Sequence, residues 1–284
     1  MIILNGQTLE PGAPEVTLLN RSFLFGDGIY ESIRVFKGKP LFLEEHLERL
    51  IRGLTFLQFE FSKQSFRALL IKEIERLIQI NQISQHGRIR IHIYRAGTGA
   101  LKPLNDHPYY LMEGYSLKPD YYDFNAKIFL SLIDYKAIPL TFGLVSGFRT
   151  ASALPYIMAA KFAQSREVDD VVLFGNQYIA ETSQANIFVV KQQQVYTPSL
   201  ETGCTNGIMR NQIIQLCKNL KIRVHERKFR SGFMARADEV FLTNTLRGIT
   251  AVKSYNQYDY AFSEYAVVPF LKKCLYQLIE ATKS

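Results

Sequence analysis

Arg88-Ile89-Arg90-Ile91-His92-Ile93-Tyr94 alternates without a break, with three isoleucines on one side and Arg88, Arg90, His92 and Tyr94 on the other. A period of two places successive side chains on opposite faces of a pleated strand, so this stretch is a half-buried strand whose apolar face needs a cover. Its polar face either meets solvent or borders a pocket. Upstream, Phe66, Leu69, Leu70, Ile74, Leu77 and Ile78 recur at helical spacing up to Ile80, and Leu43, Leu47, Leu50, Leu54 and Leu57 do the same between Leu41 and Leu57. Those two amphipathic helices are the expected cover. Downstream the pattern predicts a helix from about Ser152 to Arg166, strands at Val171–Phe174 and Ile187–Val190, and a helix opening at Gly207. A strand at Glu239–Thr243 and a C-terminal helix from Val267 to Ala281, with Pro269 in its first turn, complete the series. Strands and helices in alternation define an α/β (α+β) class.

The chain of 284 residues exceeds the usual single domain. Turn-rich segments at Arg95–Gly99 and Lys118–Asp123 place a linker near residues 117–125, dividing the chain into an N-terminal domain over 1–120 and a C-terminal domain over 121–284. With 47% apolar residues the composition is that of a globular protein and excludes disorder. No apolar run approaches the roughly 20 residues of a membrane span, and Met1-Ile2-Ile3-Leu4 reaches Asn5-Gly6 too soon for a signal peptide. A cytoplasmic protein with no membrane partner is expected. Cys204, Cys217 and Cys274 are too few and too scattered for a disulfide framework or a metal site, so they read as reduced thiols. The formal charge of +8 is spread among acids rather than clustered, which favours a small anionic ligand over nucleic acid.

Thr205-Asn206-Gly207-Ile208-Met209-Arg210 leads into the helical pattern Met209, Ile213, Leu216, Leu220. Amides at a helix start are unpaired and point outward, so Gly207 is either a plain cap or part of a phosphate cradle. Upstream, Tyr178–Phe188 sets Glu181 in a polar interruption between strands, where a carboxylate can keep a pyridine nitrogen protonated. Leu242-Thr243-Asn244-Thr245 ends a strand in hydroxyls and an amide, groups that suit phosphate oxygens. Arg49 lies beside the apolar stripe of its helix, placed either for a domain interface or for surface pairing with Glu45.

In this order the segments resemble the class IV aminotransferases, the fold type IV pyridoxal-phosphate enzymes. The resemblance begins at Phe25-Gly26-Asp27-Gly28-Ile29-Tyr30-Glu31-Ser32-Ile33-Arg34 and continues through Glu45–Leu50 and Glu181–Phe188 to Gly207–Arg210 and Asp238–Thr245. It implies an N-terminal α/β domain, a C-terminal cofactor-binding domain with a barrel-like sheet, pyridoxal 5'-phosphate between them, and a homodimer. It further implies that Arg49, Thr245 and the backbone of Ile208 and Met209 bind the cofactor phosphate. Glu181 would meet the pyridine nitrogen, and Tyr30 would face the substrate.

One position departs from the pattern. The family's lysine, which holds the cofactor covalently, lies twenty residues before an Asp-(Glu/Asp) pair, here Asp169-Asp170, and that count falls on Arg149. Its surroundings, Phe148-Arg149-Thr150-Ala151-Ser152-Ala153-Leu154-Pro155-Tyr156, otherwise follow the family. Arginine stays protonated and its delocalised guanidinium is a poor nucleophile, so it cannot take over the lysine's work. Lys161 and Lys136 are not placed to substitute. Thr98-Gly99-Ala100-Leu101-Lys102 stands where the D-amino-acid aminotransferases carry Arg-x-His. The compact length and the run Tyr196-Thr197-Pro198…Gly203-Cys204…Gly207–Arg210 are similar to 4-amino-4-deoxychorismate lyases, which make 4-aminobenzoate and pyruvate for folate synthesis. The alternatives are a branched-chain aminotransferase and a non-catalytic homologue that binds the cofactor non-covalently, or another anion, through Arg149.

Overall fold

The alternating stretch lies inside a ten-residue strand of the computed structural model, which describes residues 1–12, 20–118, 128–141, 143, 145–261, 263 and 266–281. Two compact units form: Met1–Tyr121 with Phe148–Ser152, and Tyr122–Gly147 with Ala153–Ser284. Of the linker expected near residues 117–125, only Leu117 and Lys118 fall among the described residues.

The first unit runs β1 (Ile2–Leu4), β2 (Gln7–Leu9), α1 (Arg21–Phe25), β3 (Gly28–Phe36), β4 (Lys39–Pro40), α2 (Leu43–Phe56), α3 (Lys63–Ile80), β5 (His86–Arg95) and β6 (Pro108–Ser116). Its strands form one sheet in the order β2-β1-β6-β5-β3-β4. Ile29, Ile33, Ile89, Ile91, Ile93 and Met112 on one face pack against Leu47, Leu50 and Leu54 of α2 and Leu70, Ile74 and Leu77 of α3. The expected two-helix cover is therefore the core of this unit. Truncating one such side chain to alanine costs about 2–5 kcal/mol, because the cavity collapses only in part. The opposite face carries Tyr30, Arg88, Arg90, His92 and Tyr94, with Tyr30 opposite His92 in the β3–β5 ladder.

The second unit contains β7 (Phe129–Tyr135), α4 (Leu154–Ser165), β8 (Asp170–Gly175), β9 (Tyr178–Thr182), β10 (Asn186–Lys191), β11 (Gln194–Thr197), α5 (Ile208–Asn219), β12 (Val224–Glu226), α6 (Ser231–Ala235), β13 (Glu239–Asn244), β14 (Gly248–Tyr255), β15 (Tyr258–Asp259) and α7 (Val267–Ala281). Pairing runs β10-β13-β14-β7-β8-β9, and β9 pairs back with β10, which closes a six-stranded barrel as the barrel-like expectation requires. Closure removes the open edges that a flat sheet would expose. Leu130, Val172, Ile179, Ile187, Val189, Val240, Leu242 and Val252 fill a common core. Alternate residues turn the other way, so Phe188 and Phe241 stack with ring centroids 4.9 Å apart, while Asn186 and Thr243 stand opposite each other one step along the same ladder.

Candidate functional site

Glu181 is the penultimate residue of β9 and only 2% exposed. A buried carboxylate is costly unless hydrogen-bonded, and here each oxygen accepts twice. The Tyr156 hydroxyl donates to Oε1 at 2.7 Å and the Thr205 hydroxyl to the same oxygen at 3.0 Å. The Thr205 backbone N–H and the Asn186 amide donate to Oε2 at 3.1 and 3.3 Å. Asn186 also donates to the Thr205 carbonyl at 2.8 Å. These bonds tie β9, β10 and the approach to α5 into one polar knot.

Gly207 follows as the N-cap of α5, extended at φ −69° and ψ 139° and making no side-chain cap. A Cβ there would lie 2.1 Å from Asn186 Oδ1, so only glycine lets the helix start this close to the knot. The first intrahelical bond runs from the Asn211 N–H to the Gly207 carbonyl, which leaves the amides of Ile208, Met209 and Arg210 ahead of the ladder. Ile208 and Met209 are buried, so the positive end of the helix dipole is aimed into a site shielded from water. Thr243, across the ladder from Asn186, is 1% exposed, and its hydroxyl has no hydrogen-bond partner among the described residues. An orphaned buried hydroxyl beside unpaired helix amides is a donor set for an oxyanion such as phosphate. Thr245 lies two residues further on, just past the end of β13. Arg210 is structural: its guanidinium donates to the Pro198 carbonyl at 3.0 Å and to Glu226 at 2.8 Å.

In the first unit, Arg49 is buried rather than paired on the surface. Its Nε and Nη2 donate to the two oxygens of Glu31 at 2.7 and 2.6 Å, and His46 Nδ1 bonds the same carboxylate at 2.7 Å. Burial alone would raise the Glu31 pKa, but Arg49 and His46 overcome it and hold the carboxyl at about 2. This trio lies on the helix-covered side of β3. Tyr30 lies on the other side.

Arg149 falls in that unit too. The Tyr30 N–H donates to the Arg149 carbonyl and the Ala151 N–H to the Gly28 carbonyl, both at 2.8 Å, so residues 149–151 add an antiparallel edge to β3. Phe148 anchors the segment, its ring against Phe56 at 5.8 Å and beneath the Arg52 guanidinium. Gly53 of α2 leaves the space, since a Cβ there would come within 3.2 Å of that ring. In the loop after β5, Arg21 donates to the carbonyls of Gly99, Ala100 and Leu101 and pairs with Asp27, which Arg95 also contacts.

Of the residues singled out in the sequence, the second unit brings Glu181, Ile208 and Met209 to one knot, and the first brings Tyr30 and Arg149 together while holding Arg49 on the opposite face. Asn186, Thr205 and Tyr156 were not singled out as site residues, whereas the Thr243 hydroxyl was read only as one of the strand-end groups that suit phosphate. Tyr156 and Thr205 stood within quoted motifs, but their partnership with Glu181 spans 25 and 24 residues and leaves no local signal. Among the described residues no helix is long and apolar enough to cross a membrane, and no group of three or more His, Cys, Asp or Glu is placed to hold a metal.

Known proteins share this architecture. The family profile described as amino-transferase class IV matches residues 28–255. The D-alanine aminotransferase of Bacillus licheniformis is 25% identical over 261 residues, covering 89% of this chain and 87% of the relative. The aminodeoxychorismate lyase of Bacillus subtilis (strain 168) is 26% identical over 267 residues, covering 92% and 88%. The structure of the branched-chain amino acid aminotransferase from Escherichia coli superposes with a TM-score of 0.85 at 20% identity, covering 98% of this chain and 93% of that one, a likeness of fold. The chain belongs to the class IV aminotransferase family.

Proposed function

We propose that this member of the class IV aminotransferase family binds pyridoxal 5'-phosphate non-covalently and takes a small anionic amine of the 4-amino-4-deoxychorismate kind. The observation that carries the reading is the contrast between an intact knot around Glu181, Gly207 and Thr243 and an arginine at position 149.

The residues fit the group. The amides of Ile208 and Met209 and the hydroxyls of Thr243 and Thr245 would hold the phosphate. Glu181 would face the ring nitrogen. Its four named donors are neutral, and the 3.3 Å bond from Asn186 is the longest and the one a ring N–H would replace, since that amide keeps its 2.8 Å bond to the Thr205 carbonyl. When bound, pyridoxal phosphate supplies an electron sink for bonds at the amine-bearing carbon of the substrate. Glu181 would sharpen it by holding a proton at the ring nitrogen. Arg149 remains a cation and neither donates nor removes a proton at neutral pH. Tyr30 would face the substrate, while Arg49 and His46 hold Glu31 on the helix-covered side of β3.

The lyase reading is supported by the aminodeoxychorismate lyase relative and by a loop at Thr98–Lys102 that lacks the Arg-x-His of the D-amino-acid enzymes. A branched-chain aminotransferase is supported by likeness of fold alone. Incubation of the protein with pyridoxal phosphate, dialysis, and a chromatographic assay for 4-aminobenzoate from 4-amino-4-deoxychorismate test the proposal. Retained cofactor with product formation supports the lyase. Retained cofactor without product leaves a binding homologue, and loss of cofactor on dialysis refutes the proposal.

A further inference from the structure

Along the chain the basic residues are dispersed, yet the second unit gathers a group of them at one edge of its sheet, around Lys221-Ile222-Arg223-Val224-His225-Glu226-Arg227-Lys228-Phe229-Arg230. Strand β12 ends the strand order and pairs only with β11 among the described residues. The Val195 N–H donates to the Arg223 carbonyl at 3.0 Å and the Arg227 N–H to the Thr197 carbonyl at 3.1 Å, so the extended edge runs from Arg223 to Arg227. A period of two then places Arg223, His225 and Arg227 on one face. Tyr196, opposite His225 in the ladder, stacks on its imidazole with ring centroids 4.7 Å apart and planes 15° from parallel. The Arg227 guanidinium carbon lies 4.9 Å from the Tyr196 centroid and 4.6 Å from that of Phe233 in α6, and Lys191 Nζ lies 5.3 Å from the Phe233 centroid. Arg230 adds a guanidinium 5.6 Å from the centroid of the Tyr178 ring.

The carboxylates beside this edge are engaged elsewhere. Glu226 is held by buried Arg210 at 2.8 Å, Glu201 by Lys228 at 2.7 Å, and Asp238 accepts the Gln192 N–H at 2.6 Å. Lys191, Arg223, Arg227 and Arg230 make no ion pair with any described residue, and the three arginines are exposed. Strand β10 runs from Asn186 in the Glu181 knot to Lys191 in this group, about 16 Å at the rise of an extended strand, so the edge is no part of the cofactor site. A single small anion needs donors that converge on one point, whereas these cations form a row. Arg227, Arg230 and Lys191 each lie over a ring, which steadies the charge and leaves its N–H groups to meet phosphates. A row of cations interleaved with flat faces matches single-stranded nucleic acid, whose phosphates meet the charges while bases stack on guanidinium, imidazole and phenol planes. An acidic peptide would use the charges and leave the planes idle. We propose that the Arg223–Arg230 edge, with Lys191, Tyr196 and Phe233, is a binding surface for single-stranded nucleic acid. It works independently of the cofactor site.

The test is fluorescence anisotropy of the full-length protein with a short labelled oligouridylate, the matching abasic strand and poly-glutamate. One phosphate contact for each of Lys191, Arg223, Arg227 and Arg230 gives a slope of log affinity against log salt of about −2.8, roughly a 50-fold loss of affinity between about 50 and 200 mM salt. The abasic strand is expected to bind at least about tenfold more weakly, the scale of one lost base stack. Arg227→Gln should cost about tenfold in affinity and shallow the slope by about 0.7, while Arg227→Lys should restore the slope but only part of the affinity. Arg223→Gln, at an exposed position outside the ring contacts, should shallow the slope equally. Circular dichroism matching the wild type shows that the variants are folded, and their cofactor retention should equal that of the wild type, whatever that proves to be. No saturable binding of oligouridylate, equal binding of the abasic strand, tighter binding of poly-glutamate, or a slope unchanged in both Arg227→Gln and Arg223→Gln overturns the proposal.

Discussion

Replacing Glu31 by Gln keeps the shape of the side chain and removes the charge on which Arg49 depends. The carboxylate accepts two bonds from Arg49 and one from His46 at 2.6–2.7 Å, with Glu31 2% exposed and Arg49 7%. Breaking one side of such a buried pair costs about 3–5 kcal/mol, because the remaining buried charge loses the carboxylate that balances it. The pH dependence gives an independent estimate. The carboxyl is held at about 2 in the folded protein against an ordinary 4.5, and at about 1.4 kcal/mol per pH unit that gap is worth about 3 kcal/mol. Because the folded pKa is depressed, this stability is present above pH 4.5 and is lost as pH falls toward 2. It amounts to about 3 kcal/mol at pH 6 and about 1 kcal/mol at pH 3. The assay is hydrogen exchange with mass spectrometry on peptides covering Gly28–Phe36 and Leu43–Phe56, which reports the opening of this unit rather than an average over both. Glu31→Gln should lower the opening free energy by about 3 kcal/mol at pH 6 and by clearly less at pH 3. A loss under 1 kcal/mol, or one that does not shrink on acidification, would refute the reasoning.

Gly207→Ala should destabilise the second unit by about 1–3 kcal/mol in urea unfolding, because its methyl group drives Asn186 from the Glu181 knot rather than straining the backbone. Thr243→Val removes an orphaned buried hydroxyl at constant shape, so the protein without cofactor should be as stable or slightly more stable. In equilibrium dialysis the same variant should retain pyridoxal phosphate less well, and a clear loss of stability would show that the hydroxyl was already satisfied. Glu181→Gln should weaken cofactor retention roughly 10- to 100-fold, the range for a hydrogen bond to a charged group; unchanged retention would remove Glu181 from the site.

Much of the fold was legible because periodicity survives wherever one face is buried and the other is not. Helices α2 and α3, strand β5 and α7 follow their apolar spacing, and α7 matches the expected Val267–Ala281. Strand β3 was quoted only as a motif, since Arg34, Val35 and Phe36 are all buried at its end and its alternation breaks there. Strands β6, β7 and β14 carry tyrosine, serine or lysine among their apolar residues and do not stand out from loop. At the site, Glu181 and the α5 start were visible because each is a local chemical feature. The bond network that joins them was not, because it links β9, β10 and α4 through contacts far apart in sequence. Arg49 reads as a surface or interface residue from helical spacing, and only the fold shows that its partner is Glu31, 18 residues away. Counting along the chain located Arg149, but not its pairing with Tyr30.

The central claim is that the cofactor is held by the Glu181–Arg210 knot with no lysine attached to it. Borohydride reduction of wild type and Arg149→Lys in the presence of pyridoxal phosphate, followed by peptide mass mapping, tests it directly. The account predicts cofactor that survives dialysis yet labels no lysine in the wild type, and a fixed adduct at residue 149 in the variant. A labelled lysine in the wild type, or an unlabelled residue 149 in a variant that retains cofactor, would contradict it.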